Sequence, residues 1–517
     1  MKPFDSAQGT GIKENRELIA SELDKTLIVE AAAGTGKTTE LVRRIVALIA
    51  HQRATIDQIV AVTFSEKAAG ELKLRLREEL ERARENTAAN SDASRLLDAA
   101  VHDFEEAQVS TIHGFCAELL RERPVEARVD PAFVVLTDTQ AERVFEEAFS
   151  SWLHAQLGHP QEGVRRSLRR PVKWRFGDET EDGPIERLRA AARNLREWRD
   201  HPAPWRRPTY DRTAAIKALT VSLKAFADLI GKPIKRDDRL AQSLVEARTT
   251  STDIERQKRM VGDMVPDGVW DGWEAALVAL ADDRDFANPK KGTGAAFAIG
   301  VTRDQALAEH ARLLEQLRSF RATVDADLAA LLHDEMRECL RLYEIRKQEA
   351  GALDFLDLLI KARDLVRDNQ DICREFRERF RAILVDEFQD TDPLQADLLR
   401  TLAGGDDGTL RPGALFIVGD PKQSIYRFRR ADVGAYRRIA TSLSDSGALP
   451  VTLQTSYRSV PAIQHFVNAA FREEMNGDAD TLQADYVPLS RHRDDVPEQP
   501  AIVALPVPRP YGKSQYG

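Results

Sequence analysis

The chain has 517 residues, of which 31% are charged and 42% hydrophobic, a composition typical of globular proteins. Its net charge of −9 excludes a protein that is basic throughout, although a local basic or aromatic track for nucleic acid is compatible with it. No apolar stretch reaches the roughly 20 residues that cross a bilayer, and the N-terminus has no secretory signal pattern. Cys116, Cys339 and Cys373 are widely spaced, which indicates reduced thiols and no cysteine-based metal site. We therefore expect a cytoplasmic protein without a membrane segment.

Residues 26 to 140 alternate between strand and helix patterns. Short apolar runs predict strands at Thr26–Glu30, Gln58–Phe64 and Gln108–Thr111. The segment Glu66–Arg84 places three leucines on one face of a predicted helix. Strands that alternate with helices are typical of an α/β fold with a parallel sheet.

The chain changes character between Thr139 and Glu349. Strand patterns disappear there, and long charged helical stretches dominate. At roughly 200 residues, this stretch is large enough to form a domain of its own. We therefore interpret it as a helical insertion into the α/β domain.

Strand patterns return after the insertion. RAILVD (Arg381–Asp386) and ALFIVGD (Ala414–Asp420) are continuous apolar runs that end in acidic residues. Such runs are typical of parallel strands that are buried on both faces of a sheet. Val451–Gln454 and Ala501–Leu505 are weaker strand candidates.

The segment AAAGTGKTT lies between a predicted strand and a predicted helix, which is the context of a phosphate-binding P-loop. Gly34 and Gly36 allow backbone N–H groups to turn toward phosphate oxygens, and the helix N-terminus favours the anion. Lys37 can reach the terminal phosphates, and the Thr38 hydroxyl can bind Mg²⁺. The strict pattern has glycine in place of Ala31, so the alternative is a glycine turn before an ordinary helix. The predicted nucleotide-binding residues of the loop are Ala31, Ala32, Ala33, Gly34, Thr35, Gly36, Lys37, Thr38 and Thr39.

An acidic pair follows the later apolar strand. In ILVDEFQD, Asp386 and Glu387 come directly after the apolar run. Adjacent carboxylates in a loop are usually only solvated, but after a buried strand in a chain with a P-loop the functional interpretation is favoured. We expect Asp386 to hold Mg²⁺ and Glu387 to orient or deprotonate the attacking water.

Six motifs occur in one order along the chain. They are AAAGTGKT, TFSEKAAGEL, STIHGFC, LVDEFQDTDPLQ, GDPKQSIYRFRRAD and LQTSYRS. Together they resemble the ordered motifs of superfamily 1 DNA helicases of the UvrD/Rep kind, with the RecB/AddA branch most similar. The resemblance covers residues 20 to 490. It implies two RecA-like domains that hold ATP between them, with single-stranded DNA across their tops.

The resemblance also implies roles for individual residues in the ATP site. Gln423 corresponds to the γ-phosphate sensor, and Tyr457 to the residue that stacks on adenine. Arg458 corresponds to an arginine that reaches the γ-phosphate and stabilises charge in the transition state. The implied cofactors are ATP and Mg²⁺, and the predicted catalytic residues are Lys37, Asp386, Glu387, Gln423 and Arg458.

A track for single-stranded DNA follows from the same resemblance. Aromatic side chains stack on any base, and neighbouring arginines attract the phosphate backbone. Phe64 could instead belong to the core, and His113 could be a structural hydrogen-bonding residue. The predicted DNA contacts are Thr63, Phe64, Thr111, His113, Tyr426 and Phe428.

Some positions depart from the family pattern. The family usually begins with a glutamine-bearing segment that reads adenine, whereas this chain has Gln8 followed by IKENRELI. Ser456 stands where asparagine is frequent, and Arg430 replaces a common glycine. The DNA-coupling motif and the second phosphate-contacting arginine of the second RecA-like domain are not found in Ser459–Gly517.

These observations predict an α/β fold, in which a P-loop RecA-like parallel-sheet domain carries a large helical insertion and precedes a partial second RecA-like domain. The expected parts are 1–138 and 351–445 for the RecA-like domain, 139–350 for the insertion, and 446–517 for the start of the second domain. The expected function is an ATP-dependent 3′–5′ DNA helicase or translocase in DNA repair or recombination, present as a truncated portion. The alternative is a nucleotide-dependent DNA-binding module or subunit without autonomous unwinding. Expected partners are single-stranded DNA, duplex junctions and a nuclease or helicase subunit.

Overall fold

The computed structural model describes residues 12–170, 183–201, 204–235, 237–405, 409–424, 433–475, 486–495 and 501–504. The chain forms two compact units, one from residues 1–134 and 353–517 and the other from residues 135–352. Each unit has its own hydrophobic core. The predicted insertion, residues 139–350, falls within the second unit.

The described residues contain short strands and many helices. The strands are β1 (Leu27–Ala31), β2 (Ile59–Thr63), β3 (Gln108–Thr111), β4 (Val134–Val135), β5 (Ala296–Ala298), β6 (Val301–Thr302), β7 (Ala352–Leu353), β8 (Ala382–Val385), β9 (Leu415–Gly419), β10 (Leu449–Leu453), β11 (Thr455–Ser456) and β12 (Ser490–Arg491). The helices of the first unit are α1 (Ile12–Ser21), α2 (Lys37–Ala50), α3 (Glu66–Asn86), α4 (Asp92–His102), α5 (Ile112–Glu122), α6 (Pro124–Ala127), α17 (Phe355–Asp368), α18 (Gln370–Arg379), α19 (Pro393–Ala403), α20 (Val433–Asp445) and α21 (Pro461–Phe471). Those of the second unit are α7 (Asp138–Gly158), α8 (Glu162–Leu168), α9 (Pro184–Glu197), α10 (Arg212–Ile230), α11 (Arg239–Ser243), α12 (Val245–Val261), α13 (Asp267–Asp282), α14 (Arg284–Ala287), α15 (Arg303–Glu335) and α16 (Arg337–Glu349).

The first unit is built on a six-stranded sheet with the order β10-β1-β9-β8-β2-β3. All its neighbouring strands are parallel. Alternate side chains, such as Val29 and Leu384, pack into one large core with α2, α3 and α4, and the intervening Ile28 and Ile383 are buried as well. The prediction of an α/β fold with strands buried on both faces is therefore confirmed.

Strand β10 lies at the edge of the sheet of the first unit, beside β1. The sequence placed residues from 446 onward in a second RecA-like domain, but Val451 pairs with Val29 of β1 in the first sheet. Parallel strands with a matching apolar pattern add to an existing sheet edge, so this strand completes the first sheet. The predicted strand at Ala501–Leu505 is wrong for residues 501–504, which pair with no strand in the described structure.

Helix α1 is anchored to the sheet domain by a buried arginine. Arg44 of α2 is fully buried and donates hydrogen bonds to the carbonyl oxygens of Ile19 at 2.8 Å and Lys25 at 2.9 Å. Burial lowers the pKa of the Arg44 guanidinium to about 10. These bonds satisfy one carbonyl group in the last turn of α1 and another in the segment that follows it, and they fix this helix beside the P-loop helix.

The second unit is helical and contains a buried network of charges. Arg166 is fully buried and pairs with Asp327 at 2.6 Å and with Glu274 at 3.0 Å. Arg207 and Arg212 join the same carboxylates, at 2.7 and 2.6 Å respectively. Among the described residues of the chain, no helix is long and apolar enough to span a membrane.

Candidate nucleotide-binding site

The P-loop connects the end of β1 to the start of α2. Gly34 and Gly36 adopt left-handed φ values of 76° and 87°, which residues with a Cβ atom rarely adopt. Thr35 turns inward and donates from Oγ1 to the Ala32 carbonyl oxygen at 2.7 Å. The predicted residues are divided among three elements: β1 supplies Ala31, the loop supplies Ala32, Ala33, Gly34, Thr35 and Gly36, and α2 supplies Lys37, Thr38 and Thr39.

The acidic pair meets this loop at the carboxyl end of the sheet. Strand β8 ends at Val385, so Asp386 and Glu387 emerge at the same edge as the P-loop. The Lys37 ammonium donates to Glu387 Oε2 at 2.6 Å, and the Thr38 hydroxyl donates to Asp386 Oδ2 at 3.1 Å. The structure therefore brings together four predicted residues from two distant parts of the chain.

Glu387 has an unusual backbone conformation. It is a non-glycine residue with a φ of 53°, and its amide donates to the Asp386 carboxylate at 3.0 Å. Left-handed backbone at a non-glycine residue is strained and is enriched at functional sites. This turn allows Glu387 to point back toward Lys37 while Asp386 faces Thr38.

The electrostatic environment of Asp386 is that of a buried carboxyl group. Burial raises the pKa of Asp386, the neighbouring Glu387 charge raises it further, and Lys37 and Thr38 oppose both effects. A carboxylate that is buried without full compensation is suited to binding a cation.

Gln389 is a site residue that the sequence analysis did not single out. This side chain is 2% exposed, donates to Glu387 Oε2 at 2.7 Å and accepts from the Asp420 amide at 2.8 Å. It therefore connects the ends of β8 and β9 beside the acidic pair. Its position in DEFQD, directly after the acidic pair, was the available signal, because a buried glutamine needs partners for both amide atoms.

The predicted sensor Gln423 lies in the short turn after β9. Its side-chain amide donates to Asp420 Oδ2 at 2.7 Å. Lys422 in the same turn pairs with Asp420 at 3.0 Å and with Glu30 of β1 at 3.4 Å. These contacts connect the turn after β9 to β1, whose end carries the P-loop.

The segment after β10 approaches the P-loop directly. The Tyr457 amide donates to the Gly34 carbonyl oxygen at 2.8 Å. A Cβ atom added at Gly34 would lie 2.6 Å from Arg458 Cβ and 3.1 Å from Ser456 Oγ. Gly34 is therefore needed both for its left-handed backbone and for this close approach. The side chains of Tyr457 and Arg458, which follow this close approach, are both exposed.

The predicted DNA contacts have different environments. Thr63 is buried, and Phe64 is half-buried. The Thr111 hydroxyl caps α5 by accepting from the Gly114 amide, and it donates to Glu66 at 2.8 Å. The His113 ring lies edge-on to Phe355, with 5.3 Å between the ring centres. Tyr426, Phe428, Arg430 and Gln8 lie outside the described residues.

The residues present fit a magnesium ion accompanied by phosphate and water. Among the described residues, no group of three or more His, Cys, Asp or Glu side chains could hold a metal by itself. Mg²⁺ usually takes only one or two protein oxygen ligands and fills its other positions with water and phosphate. The Asp386 carboxylate and the Thr38 hydroxyl provide such oxygens at this site.

A parallel sheet with a glycine loop, a lysine and an acidic strand end defines the class of P-loop nucleotide-binding proteins. The family model of the UvrD/REP helicase N-terminal domain matches residues 12–443. The chain therefore belongs to this family, and the predicted RecB/AddA-like resemblance is confirmed by its relatives.

Three relatives illustrate the similarity. An ATP-dependent helicase/nuclease subunit from Geobacillus thermodenitrificans is 27% identical over 92% of this chain and 40% of its own length. Its namesake from Syntrophomonas wolfei is 25% identical over 89% of this chain and 38% of its own length. The exonuclease/helicase subunit RexA of Lactococcus lactis is 27% identical over 90% of this chain and 40% of its own length. The chain thus spans about two fifths of the length of these relatives.

Proposed function

We propose that this chain is the ATP-hydrolysing motor portion of a DNA helicase, which couples ATP hydrolysis to 3′–5′ movement along single-stranded DNA. One observation carries the proposal. Lys37 and Thr38 of the P-loop lie within hydrogen-bonding distance of Glu387 and Asp386 respectively. Lysine, hydroxyl and two carboxylates around one phosphate-binding loop are the groups that ATP hydrolysis requires.

Each group has a separate task in this proposal. The P-loop amides and Lys37 would bind the phosphates, and Thr38 and Asp386 would hold Mg²⁺, which would supply neutralising charge when bound. Glu387 orients or deprotonates the attacking water, and its bond from Gln389 supports that orientation. Lys37 is paired with the Glu387 carboxylate in the structure, and we infer that bound phosphate draws the ammonium away.

Nucleotide state would be communicated through two segments that follow β9 and β10. Gln423 would detect the γ-phosphate, because it lies in the turn after β9 and is held by Asp420. Arg458 would stabilise charge on the same phosphate, and Tyr457 would stack on the base. The backbone bond from Tyr457 to Gly34 supports this assignment because it holds the main chain of this segment beside the P-loop.

Single-stranded DNA is the proposed track. Phe64, Tyr426 and Phe428 would stack on bases, and the backbone around Thr63 and Thr111 and the His113 ring would contact the strand. Thr63 and Thr111 are buried, so contacts at these positions would come from their main chain. Duplex junctions are the proposed substrate for strand separation.

We infer a division into parts that takes account of β10. Residues 1–138 and 351–445, together with β10, would form one RecA-like domain, and residues 139–350 would form its helical insertion. The segment after β10, with β11, α21 and β12, would begin a second RecA-like domain. The named relatives are subunits with helicase and nuclease functions, which supports a role in DNA repair or recombination beside a partner subunit.

A second candidate is a nucleotide-dependent DNA-binding subunit that cannot unwind DNA alone. Helix α21 exposes Ile463, Phe466 and Phe471 to 37%, 58% and 46%. An apolar surface of this kind is typical of a face that other protein covers. The ATP cleft would then be completed only in a larger assembly.

The decisive experiment measures ATP turnover of the purified chain with and without a single-stranded oligonucleotide. We expect ATP turnover to rise several-fold with the oligonucleotide. With a fluorophore attached to one end of the oligonucleotide, we expect the motor to reach a label on the 5′ end and not one on the 3′ end. ATP turnover without unwinding of a forked duplex would favour the subunit candidate. No turnover under any condition would refute the motor proposal.

A further inference from the structure

Arg16 of α1 occupies the space between the P-loop and Tyr457. Its guanidinium group donates to the Thr35 carbonyl oxygen at 2.5 Å and pairs with Glu40 in the first turn of α2. The same group lies 4.8 Å from the centre of the Tyr457 ring, in a cation–π arrangement. Arg16 therefore touches both the loop that would hold the phosphates and the ring that would stack on the base.

This position is firmly held. Arg44 fixes the last turn of α1 through the Ile19 carbonyl group and the segment after it through the Lys25 carbonyl group. Near the other end of the helix, the Asn15 amide donates to the Thr452 carbonyl oxygen of β10 at 3.0 Å. The Arg16 side chain is only 14% exposed. These contacts hold the segment that carries Arg16 on both sides of this residue.

Arginine can offer only one kind of hydrogen bond to a base. It carries five N–H donors and no acceptor. The Arg16 Nε group is buried without a hydrogen-bond partner among the described residues, so a base would meet the two terminal nitrogens, whose other N–H groups bond Glu40 and the Thr35 carbonyl oxygen. Purines present an acceptor at N7, and guanine adds a second acceptor at O6, whereas adenine has an amino donor in that place. Glutamine can match the adenine edge, and arginine matches the guanine edge better.

We propose that Arg16 is the residue that reads the nucleobase, and that it makes this site accept guanine as well as adenine nucleotides. The proposal rests on the proposed function, because it assumes that a nucleoside triphosphate binds the P-loop with its base against Tyr457. Arg16 is not among the residues predicted from the sequence, because the expected adenine-reading segment carries glutamine and Gln8 is the only glutamine before the P-loop.

The test compares kcat/KM for ATP, GTP and 7-deaza-GTP, in which N7 is replaced by a C–H group. The full chain is used with a single-stranded oligonucleotide, as wild type and as Arg16→Ala, Arg16→Gln and Arg43→Gln. Arg43 is the matched control, because it also pairs with Glu40, at 3.2 Å, but is 52% exposed. The Kd values of the same three nucleotides are measured by competition with a fluorescent nucleotide, which tests base preference without hydrolysis.

For the wild type, we expect GTP and ATP to agree within about tenfold, and 7-deaza-GTP to be weaker than GTP by about tenfold, mainly through KM. Arg16→Ala should abolish the difference between GTP and 7-deaza-GTP, and Arg16→Gln should shift the preference toward ATP by about tenfold. Arg43→Gln should leave the ratios unchanged. Thermal midpoints establish that each variant is folded. If Arg16→Ala is unstable, the base preference of Arg16→Gln tests the proposal instead.

Two results would overturn the proposal. One is a wild type that discriminates against GTP by more than about a hundredfold, and the other is equal use of GTP and 7-deaza-GTP. Failure of the proposed function looks different, since then none of the triphosphates is hydrolysed. In that case the three Kd values still decide the base preference.

Discussion

The Nζ atom of Lys37 lies 2.6 Å from Oε2 of Glu387, although the two residues are 350 positions apart in the chain. The ammonium is 9% exposed and the carboxylate 34% exposed, so the pair lies at the wall of an accessible site. The parallel sheet brings Lys37 and Glu387 together, because the P-loop follows β1 and the acidic pair follows β8 at the same edge of the sheet. The long helical unit between them does not interrupt the arrangement, since the chain returns to the sheet after it.

Glu387→Gln separates nucleotide binding from hydrolysis. The amide keeps the size of the side chain but cannot accept a proton from water, so we expect turnover to fall about 10²–10⁴-fold while nucleotide affinity is retained. Phosphate release and titration with a fluorescent nucleotide measure the two quantities. Glu105→Gln is the matched control, because Glu105 is 81% exposed in its pair with Lys73. Normal turnover of Glu387→Gln would assign the water-activating role to another residue.

Gln389 should have two distinguishable roles. Gln389→Ala removes the acceptor of the buried Asp420 amide, so we expect a loss of roughly 1–3 kcal/mol in the free energy of unfolding, together with lower kcat. Gln389→Glu keeps an acceptor for this amide but places a second carboxylate beside Glu387. We therefore expect it to lower kcat but to reduce the free energy of unfolding less than Gln389→Ala does. Denaturant melts and steady-state kinetics measure both effects. If wild type and both variants had the same kcat, Gln389 would have no role in the ATP-hydrolysing site.

The charge network of the helical unit should make its stability sensitive to acid. Burial raises the pKa of Asp327, but hydrogen bonds and charges from Arg207 and Arg166 outweigh this and hold it below its ordinary value. A depressed carboxyl pKa contributes stability that is complete above the unfolded pKa of about 4 and is lost as the pH falls through the folded pKa.

We therefore expect Asp327→Asn to reduce the free energy of unfolding by roughly 3 kcal/mol at neutral pH, because Arg166 loses a buried partner. The difference from wild type should shrink as the pH falls below about 4. Asp325→Asn is the control, because Asp325 is 47% exposed where it pairs with Arg170. Denaturant melts across this pH range provide the measurement, and a difference that grows toward low pH would contradict the assignment.

The proposed DNA track can be tested at two aromatic residues of the GDPKQSIYRFRRAD motif. Replacing Tyr426 and Phe428 by alanine should weaken single-strand binding by about 1–3 kcal/mol per lost stack. Fluorescence titration with an oligonucleotide, without nucleotide, gives the affinity. Lys37→Ala serves as the control, because a lysine of the phosphate loop should not affect this binding. Unchanged affinity of the double variant would place the track elsewhere.

Much of the sheet could be predicted because its strands are continuous apolar runs. The predicted strand Gln108–Thr111 coincides with β3, and Arg381–Asp386 contains β8. The phosphate loop was recognisable because glycines and a lysine occur between a strand and a helix. These are local patterns, and local patterns survive in a sequence without knowledge of the tertiary fold.

The remaining features depend on contacts between distant segments. Membership of β10 in the first sheet depends on its pairing with β1, which no short pattern encodes. The same holds for Gln389, whose two partners emerge from different strands, and for Arg16, which contacts the P-loop, α2 and Tyr457. The charge network around Arg166 was also not predictable, because charged residues on long helices usually face solvent.

The central claim is that Lys37 and the acidic pair form one ATP-hydrolysing site, and phosphate release by Lys37→Ala tests it most directly. Lys25→Ala is measured beside it, since Lys25 is a surface lysine, 53% exposed, that pairs only with Glu22 in the described structure. We predict that Lys37→Ala loses DNA-stimulated turnover while its thermal midpoint stays close to that of wild type, and that Lys25→Ala remains active. Wild-type turnover in folded Lys37→Ala would contradict it.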